Sequence, residues 1–172
     1  MGVWRASGIP VLDRHELAAG KLVALLSRKE ARDLFDSHRI LRMENLERDR
    51  LRIGFVVRGA MNRIAWRTVP VDNVDFDAAQ LARQLIPKLR VRAAEVESKP
   101  MEYGTHLVVE CREGLSAVLP FGDNERALLD LLLDKGVVDS TILTSDGVLQ
   151  RIQRQPLLGW KAINARRYKG LA

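Results

Sequence analysis

The chain has 172 residues, of which 47% are hydrophobic and 29% charged, and its formal net charge is +6. This length suits one domain, and the apolar content is sufficient for a buried core, which excludes disorder over the whole chain. No apolar run approaches the roughly 18 residues of a membrane span, and no signal-peptide core follows the first residues, so we expect no membrane partner. The isoelectric point of about 9.9 fits an anionic partner or a solvated basic surface equally well.

The number and spacing of the cysteine and histidine residues bear on disulfides and metal sites. Cys111 is the only cysteine, so the chain forms no internal disulfide and no cysteine-based zinc site, which predicts a reducing, cytoplasmic location. The histidines His15, His38 and His106 are far apart in sequence and lack a His-x-x-x-His spacing, so a histidine-rich metal site is not predicted. Cys111 is interpreted as an inert buried thiol, and His15 and His38 as surface or helix-packing residues.

The order of predicted elements is a series of helices with little strand. Gly8–Leu12 is predicted to be a strand end or an extended arm, because Pro10 disfavours helix in the residue before it. Tyr103–Phe121 fits a strand or a buried helix equally well. Apolar spacing and capping residues predict helices over Arg14–Ser27 (capped by Asp13), Lys29–Leu41, Asn45–Val57, Ala78–Ile86, from Asp123 as the cap to just before Gly136, from Ser145 or Asp146 through Ile152, and over Leu157–Tyr168.

The most informative segment lies between the first two predicted helices. Lys21, Arg28, Arg32 and Asp36 are spaced seven, four and four residues apart, so they would share one face of a continuous helix. A row of cations that ends in a carboxylate can hold a polyphosphate, with Asp36 or Asp33 beside a divalent cation. The same spacing fits a solvated helix face with i,i+4 ion pairs, and the spacing alone favours that second interpretation.

Several motifs in this order resemble a known family. The stretch Lys-Leu-x-Ala-Leu-x-x-Arg that begins at Lys21, followed by Arg-Asp-Leu-Phe-Asp ending at Asp36, is similar to the signature of the AbiEii/AbiGii nucleotidyltransferase toxins. These are the toxin halves of type IV toxin–antitoxin systems. The resemblance spans about Gly8 to Leu171 and continues through Val56–Asn62, Trp66–Val69, Gln84–Pro87 and Pro156–Arg166.

The resemblance implies a fold and a domain organisation. The expected fold is mainly α: the helical C-terminal region of a polymerase-β-like nucleotidyltransferase, with at most a short N-terminal strand remnant. Residues 1–172 would form a single, mostly helical unit. Within it, residues 1–60 would be the end of the nucleotidyltransferase core with its lysine and aspartate, and residues 61–172 the helical C-terminal region.

The resemblance also implies a reaction. A nucleotidyl group would pass from an NTP to an RNA or protein acceptor, such as tRNA, with Mg²⁺ as the cofactor and an antitoxin as a further partner. Lys21 would grip the nucleotide phosphates, and Asp36, with Asp33 as its rival, would assist the metal-bound chemistry. Four arginines are expected to contact the substrate: Arg28, Arg32, Arg58 and Arg67.

The sequence departs from the family in its metal ligands. The family carries a Gly-Ser or Gly-Gly turn and an Asp-x-Asp pair before its lysine, whereas only twenty residues precede Lys21 and they contain no such pair. The one Asp-x-Asp, at Asp75 and Asp77, follows the lysine; Asp77 is interpreted as a helix cap and Asp75 as a solvated loop residue. We therefore expect the main metal ligands to be absent, and a truncated toxin with little or no activity by itself.

A second functional class remains open at this point. The chain would then be a non-catalytic basic module that binds RNA or the antitoxin. Trp160 with its basic neighbours could stack on a base in such a module, although its helical spacing from Leu157 and Ile163 favours a place in the core.

Overall fold

A computed structural model of the chain describes residues 12–89, 99–144 and 147–171. Over these residues the fold is mainly α, and no strand occurs among them, as the sequence predicts. No helix in this part of the chain combines the length and the apolar character that crossing a bilayer requires. The helices are α1 (Arg14–Arg28), α2 (Ala31–Leu41), α3 (Arg48–Ala60), α4 (Ala78–Gln80), α5 (Pro100–Gly114), α6 (Asp123–Asp130), α7 (Val148–Gln153) and α8 (Pro156–Lys169).

Two helices change pitch at their C-terminal ends. Helix α4 continues as a π-helical stretch over Leu81–Leu85 and a 3₁₀ turn over Ile86–Lys88. Helix α6 continues as a π-helical stretch over Leu131–Lys135 and ends at Gly136, which has the positive φ of 62° expected of a glycine at a helix C-terminus. Single 3₁₀ turns occupy Trp66–Thr68, Val71–Asn73, Leu115–Ala117 and Ser140–Ile142.

The first helix ends in a sharp reversal of the chain, which lets the second helix pack against it. Asp13 caps α1 by accepting a hydrogen bond from the His15 backbone N–H at 2.9 Å. At its other end, Lys29 adopts the left-handed conformation with a φ of 56°, which stops α1 and turns the chain. The break between the two predicted helices, Arg14–Ser27 and Lys29–Leu41, is therefore confirmed. Because α2 folds back along α1, Lys21 and Asp36 do not share the face that a continuous helix would give them.

Helix α1 lies at the centre of the core. It packs against both α2 and α3, and α2 packs against α5 on its other side. Leu22 and Leu25 of α1, Leu34 of α2 and Phe55 of α3 are fully buried in this layer. Phe55 also contacts the Trp66 ring, with 5.3 Å between the ring centroids, so the chain after α3 joins the same core.

The predicted helix boundaries hold in most places. The helix predicted at Asn45–Val57 begins and ends three residues later, at Arg48–Ala60. The ambiguous segment is helical over Pro100–Gly114, and the cap of α6 is Gly122 rather than Asp123, because the Glu125 carboxylate accepts the Gly122 N–H at 2.6 Å. Most of the predicted extended arm at Gly8–Leu12 and the helix start at Ser145 or Asp146 lie outside the described residues.

The contact between α3 and Trp66 generates a test of the fold. A Cβ added at Gly59 would lie 1.6 Å from the indole Nε1 of Trp66, which is 1% exposed. We expect Gly59→Ala to lower the free energy of unfolding by about 2 kcal/mol or more, because the indole has to move within a packed core.

Gly20 is the matched control for this substitution. It lies inside α1, and a Cβ there would meet no atom within 4 Å. Gly20→Ala should therefore raise the free energy of unfolding by about 0.5–1 kcal/mol, since alanine loses less backbone entropy in a helix. Urea denaturation of both variants measures the difference, and equal stabilities for the two would contradict this packing.

Candidate functional site

The two residues expected to be catalytic meet across the seam between α1 and α2. The Lys21 Nζ donates a hydrogen bond to the Asp36 Oδ2 at 2.7 Å. The two side chains are 33% and 31% exposed, so the pair is accessible from solvent. The Ser37 hydroxyl donates to the Lys21 carbonyl at 3.3 Å and holds the two helices in this register.

A second ion pair crosses the same seam nearer to the reversal. The Arg28 Nε lies 3.2 Å from the Asp33 Oδ2. Asp33 is 2% exposed, whereas the Arg28 side chain is 59% exposed. Asp33 also lies in the first turn of α2, where the helix dipole favours a negative charge. Asp33 is therefore a buried carboxylate that anchors the seam, while Arg28 keeps donors that face solvent.

A cavity of about 370 Å³ opens beside this second ion pair. Its lining includes three cations, Arg28, Arg32 and Lys88, and two carboxylates, Glu30 and Asp33. We call it the seam cavity. The Arg28–Asp33 pair is neutral overall, so Arg32 and Lys88 against Glu30 leave the lining with a small positive excess.

Helix α4 forms the far wall of the seam cavity. The Gln80 side-chain oxygen accepts the Ala31 N–H at 2.7 Å, and the Gln80 amide donates to the Glu30 carboxylate at 2.5 Å. One glutamine thus ties α4 to the N-terminus of α2. This tertiary contact fixes the wall against which a ligand of the seam cavity would lie.

Two of the four arginines expected to contact substrate lie elsewhere. Arg58 lines a different cavity of about 500 Å³, to which neither Lys21 nor Asp36 contributes. The Arg67 guanidinium contacts the carboxylates of Asp130 at 3.0 Å and Asp134 at 2.6 Å. That guanidinium also holds the pKa of Asp134 below its usual value. The structure therefore brings Arg28 and Arg32 to the seam, and places Arg58 and Arg67 away from it.

The Asp-x-Asp pair has the local roles that the sequence predicts. The Asp77 side chain accepts the Gln80 N–H at 2.9 Å and caps α4. Asp75 accepts the N–H of Phe76 at 2.8 Å in an exposed loop. Both carboxylates thus support the start of α4.

A third cluster joins residues that the spacing of the histidines does not predict. The His38 Nε2 lies 2.5 Å from one oxygen of Glu110, and the His106 Nε2 lies 3.3 Å from the other. Arg42 donates to the first of these oxygens at 2.9 Å. The hydrogen bond from His38 and the contact with Arg42 hold the pKa of Glu110 below its usual value. The i,i+4 spacing of His106 and Glu110 is visible in the sequence, whereas the approach of His38 is a tertiary contact.

The expectations for three further residues have different outcomes. Trp160 is 59% exposed, so its interpretation as a core residue is wrong; Leu158 and Ala162 of the same helix are buried instead. His15 is 3% exposed and accepts the Glu47 N–H at 3.1 Å, which fits a helix-packing role. Cys111 is fully buried, which confirms its predicted burial, and burial raises its pKa to about 12, which fits an inert thiol.

These observations define a mainly helical protein whose first two helices enclose a charged seam. The model of the family described as nucleotidyl transferase AbiEii toxin, type IV TA system, matches residues 5–105. The chain therefore belongs to this family, which confirms the resemblance and supports a nucleotidyltransferase-like role in a type IV toxin–antitoxin system. The matched range contains all residues of the seam between α1 and α2. It ends before Pro156–Arg166, the last of the motifs on which the resemblance was based. No curated protein and no solved structure matches the chain.

The unequal burial of the two seam carboxylates generates a prediction about stability. Asp33→Asn removes the charge of a buried group, so we expect the free energy of unfolding to fall by about 1–3 kcal/mol. Asp36→Asn removes a charge from a partly exposed pair, and its cost should stay below about 1 kcal/mol. Urea denaturation of the two variants compares them directly. A larger loss for Asp36→Asn would reverse the structural and functional roles given to the two aspartates.

The buried cysteine generates a prediction about reactivity. With a pKa raised to about 12, the Cys111 thiol is almost wholly protonated at pH 8, and the surrounding core excludes reagents. A chromogenic disulfide reagent should therefore react with the unfolded chain in denaturant and leave the native protein unmodified over the same time. Rapid labelling of the native protein at pH 8 would show that the thiol is reachable.

Proposed function

We propose that the seam between α1 and α2 binds the phosphates of a nucleoside triphosphate, with Lys21 as the phosphate-binding residue and Asp36 as its positioning partner. The observation that carries the proposal is the Lys21–Asp36 ion pair, 2.7 Å long and about one third exposed on each side. A lysine held in this way keeps a defined position and remains within reach of an anion from solvent. The family membership of the chain supports a nucleotide as that anion.

The chemistry of the ammonium group supports this role. A lysine ammonium has three N–H donors and no acceptor. Asp36 takes one of them at 2.7 Å, so the others remain for phosphate oxygens. Asp36 thus orients the donor and need not leave when a phosphate binds.

The burial of the two carboxylates favours Asp36 over Asp33 as the residue that acts at the site. Asp33 is 2% exposed and is neutralised by Arg28, so a ligand has little access to it. Asp36 is 31% exposed and touches the ammonium itself. We therefore assign Asp33 to the stability of the seam and Asp36 to the site.

The arginines extend the site along the seam. Arg28 lies seven residues after Lys21 on the same face of α1, which corresponds to about 10 Å along the helix axis. A ligand that contacts both residues would follow the seam into the cavity lined by Arg28, Arg32 and Lys88. Guanidinium groups bind phosphate oxygens through paired N–H donors, so Arg28 and Arg32 suit the more highly charged part of the ligand.

The described carboxylates do not fit the two-Mg²⁺ centre that the family reaction implies. Such a centre needs carboxylates that converge on shared ions. Asp33 and Asp36 each face a cation, and Asp75 and Asp77 accept backbone N–H groups of their own loop and helix. We therefore propose that this chain by itself binds a nucleotide. Its transfer of a nucleotidyl group to an RNA or protein acceptor would be weak or absent.

The core supports the proposal that the chain forms one unit. One cluster of buried residues extends from Ala18 in α1 to Ala162 in α8. Residues 1–60, as the end of a nucleotidyltransferase core, would therefore share their packing with the helical region at 61–172. The antitoxin, as a further partner, would bind to the surface of this unit.

A binding module is the second candidate, and the surface of α8 favours it. Trp160 is 59% and Tyr168 90% exposed, and Arg167 is exposed on the same helix. Exposed aromatic rings beside cations are suited to stacking on unpaired bases. In this alternative the chain would bind RNA without a nucleotide site at the seam.

Nucleotide binding to a lysine variant tests the proposal. We expect Lys21→Met to weaken ATP or GTP binding at least about tenfold, because one charge-assisted contact contributes about 1.5–3 kcal/mol. AMP should bind much more weakly than ATP to the unaltered chain, since the site contacts phosphates. Isothermal titration calorimetry measures both effects.

Lys99→Met is the matched control, because Lys99 also pairs with a carboxylate, that of Glu102 at 3.0 Å, on another helix. It should leave nucleotide affinity unchanged. Equal effects of the two substitutions on nucleotide affinity would overturn the seam proposal. RNA binding that falls steeply with salt, with no difference between the two variants, would favour the binding module. Transfer of label from NTP to tRNA in Mg²⁺, abolished by Lys21→Met, would contradict the proposed lack of activity.

A further inference from the structure

We propose that His38, His106 and Glu110 form a binding site for one divalent transition-metal ion of the zinc type, which bridges α2 and α5. One ligand atom from each residue lies within 4.8 Å of the other two. Two imidazoles and a carboxylate form a ligand set that zinc uses in proteins, with a solvent molecule in the fourth position. The proposed metal site shares no residue with the nucleotide site at the seam.

The backbone arrangement suits chelation. His106 and Glu110 are four residues apart on α5, so their side chains project from the same face of the helix. Helix α2 packs against this face and supplies His38, whose ring centroid is 6.2 Å from that of His106. The ligands thus come from two helices that the core already holds together.

The ligand atoms need only a small movement to enclose an ion. In a tetrahedral zinc site, bonds of about 2.0–2.1 Å place neighbouring ligand atoms about 3.3 Å apart. The Glu110 carboxylate already lies 2.5 Å from the His38 Nε2 and 3.3 Å from the His106 Nε2. His106 is 60% exposed, so its ring can rotate towards His38 without disturbing the core.

The protonation pattern also suits a metal. Both imidazoles direct Nε2 at the carboxylate, and a bound ion would displace any proton held between His38 and Glu110. The displaced proton then resides on Nδ1 or passes to solvent, and each ring binds the ion as a neutral ligand. Arg42 holds one Glu110 oxygen at 2.9 Å and leaves the other directed towards His106. A ligating carboxylate is commonly held by such an outer hydrogen bond.

The exposure of the three residues indicates an open site. The His38 side chain is 15% exposed, that of Glu110 30% and that of His106 60%. One side of the cluster is therefore closed by the α2–α5 contact and the other faces solvent. Nitrogen ligands favour zinc and its neighbours in the first transition series over Mg²⁺, so this ion differs from the one that the family reaction uses.

The same contacts could instead be a metal-free network that ties α2 to α5, and titration with Zn²⁺ separates the two. We expect the unaltered chain to bind one equivalent of Zn²⁺ and its melting temperature to rise with added Zn²⁺, because the ion binds the folded state. Co²⁺ in place of Zn²⁺ should give the visible absorption of a low-symmetry site with nitrogen and oxygen ligands.

His106→Ala is the decisive variant, because the side chain is largely exposed and its loss should not prevent folding. We expect it to weaken Zn²⁺ binding at least about tenfold, and Glu110→Gln to do the same. Glu113→Gln is the matched control, an exposed glutamate on the same helix outside the cluster, and should leave Zn²⁺ affinity unchanged.

The proposal is overturned if the unaltered chain binds no Zn²⁺ and its melting temperature does not change with added Zn²⁺. It is also overturned if His106→Ala and Glu113→Gln bind Zn²⁺ equally well, since the ion would then lie elsewhere. Stability that falls in Glu110→Gln without any Zn²⁺ dependence in the unaltered chain would identify the metal-free network. ATP binding by His106→Ala should match that of the unaltered chain, so the metal site and the seam are tested separately.

Discussion

The reversal at Lys29 is the feature on which the rest of the structure depends. Its left-handed conformation ends α1 and folds α2 back along it, so that charges five and fifteen residues apart in sequence face one another. The Lys21–Asp36 and Arg28–Asp33 ion pairs both cross the resulting seam. In a continuous helix the same four side chains would repel or pair only with near neighbours on a solvated face. The turn therefore converts a charge pattern into a site.

The two seam pairs differ in the burial of their carboxylates. A buried carboxylate needs a cation, and Arg28 meets that need although its side chain remains 59% exposed. A half-exposed carboxylate needs no such support, so Asp36 can orient Lys21 without being locked beneath it. The difference in burial between positions 33 and 36 follows from their places on α2. Asp33 lies in the first turn of α2 and is 2% exposed, and Asp36 lies about one turn further along and is 31% exposed.

Helix α2 contributes to two chemically different clusters. Asp36 and Ser37 face α1: the Asp36 carboxylate accepts from the Lys21 ammonium, and the Ser37 hydroxyl donates to the Lys21 carbonyl. His38 faces α5 and meets a carboxylate and a second imidazole. Consecutive residues of a helix project about 100° apart, so neighbouring positions reach different partners. A helix packed on two sides, as α2 is between α1 and α5, can therefore contribute to an ion pair with a lysine and to a histidine–carboxylate cluster within three residues.

Most of the helices follow from the sequence alone, because local signals determine them. Asp13 and Asp77 cap helices through their own neighbours, and Gly136 ends one because it tolerates a positive φ. Several motifs in the right order, from Lys21 to Arg166, indicated the family, although no single one was decisive. The pairing of Lys21 with Asp36, the burial of Asp33 and the meeting of His38 with Glu110 required the tertiary structure. Each depends on how two helices lie against each other, and helical periodicity cannot specify this. Trp160 shows the same limit, since a helix with apolar residues on several faces does not reveal which face its neighbours will cover.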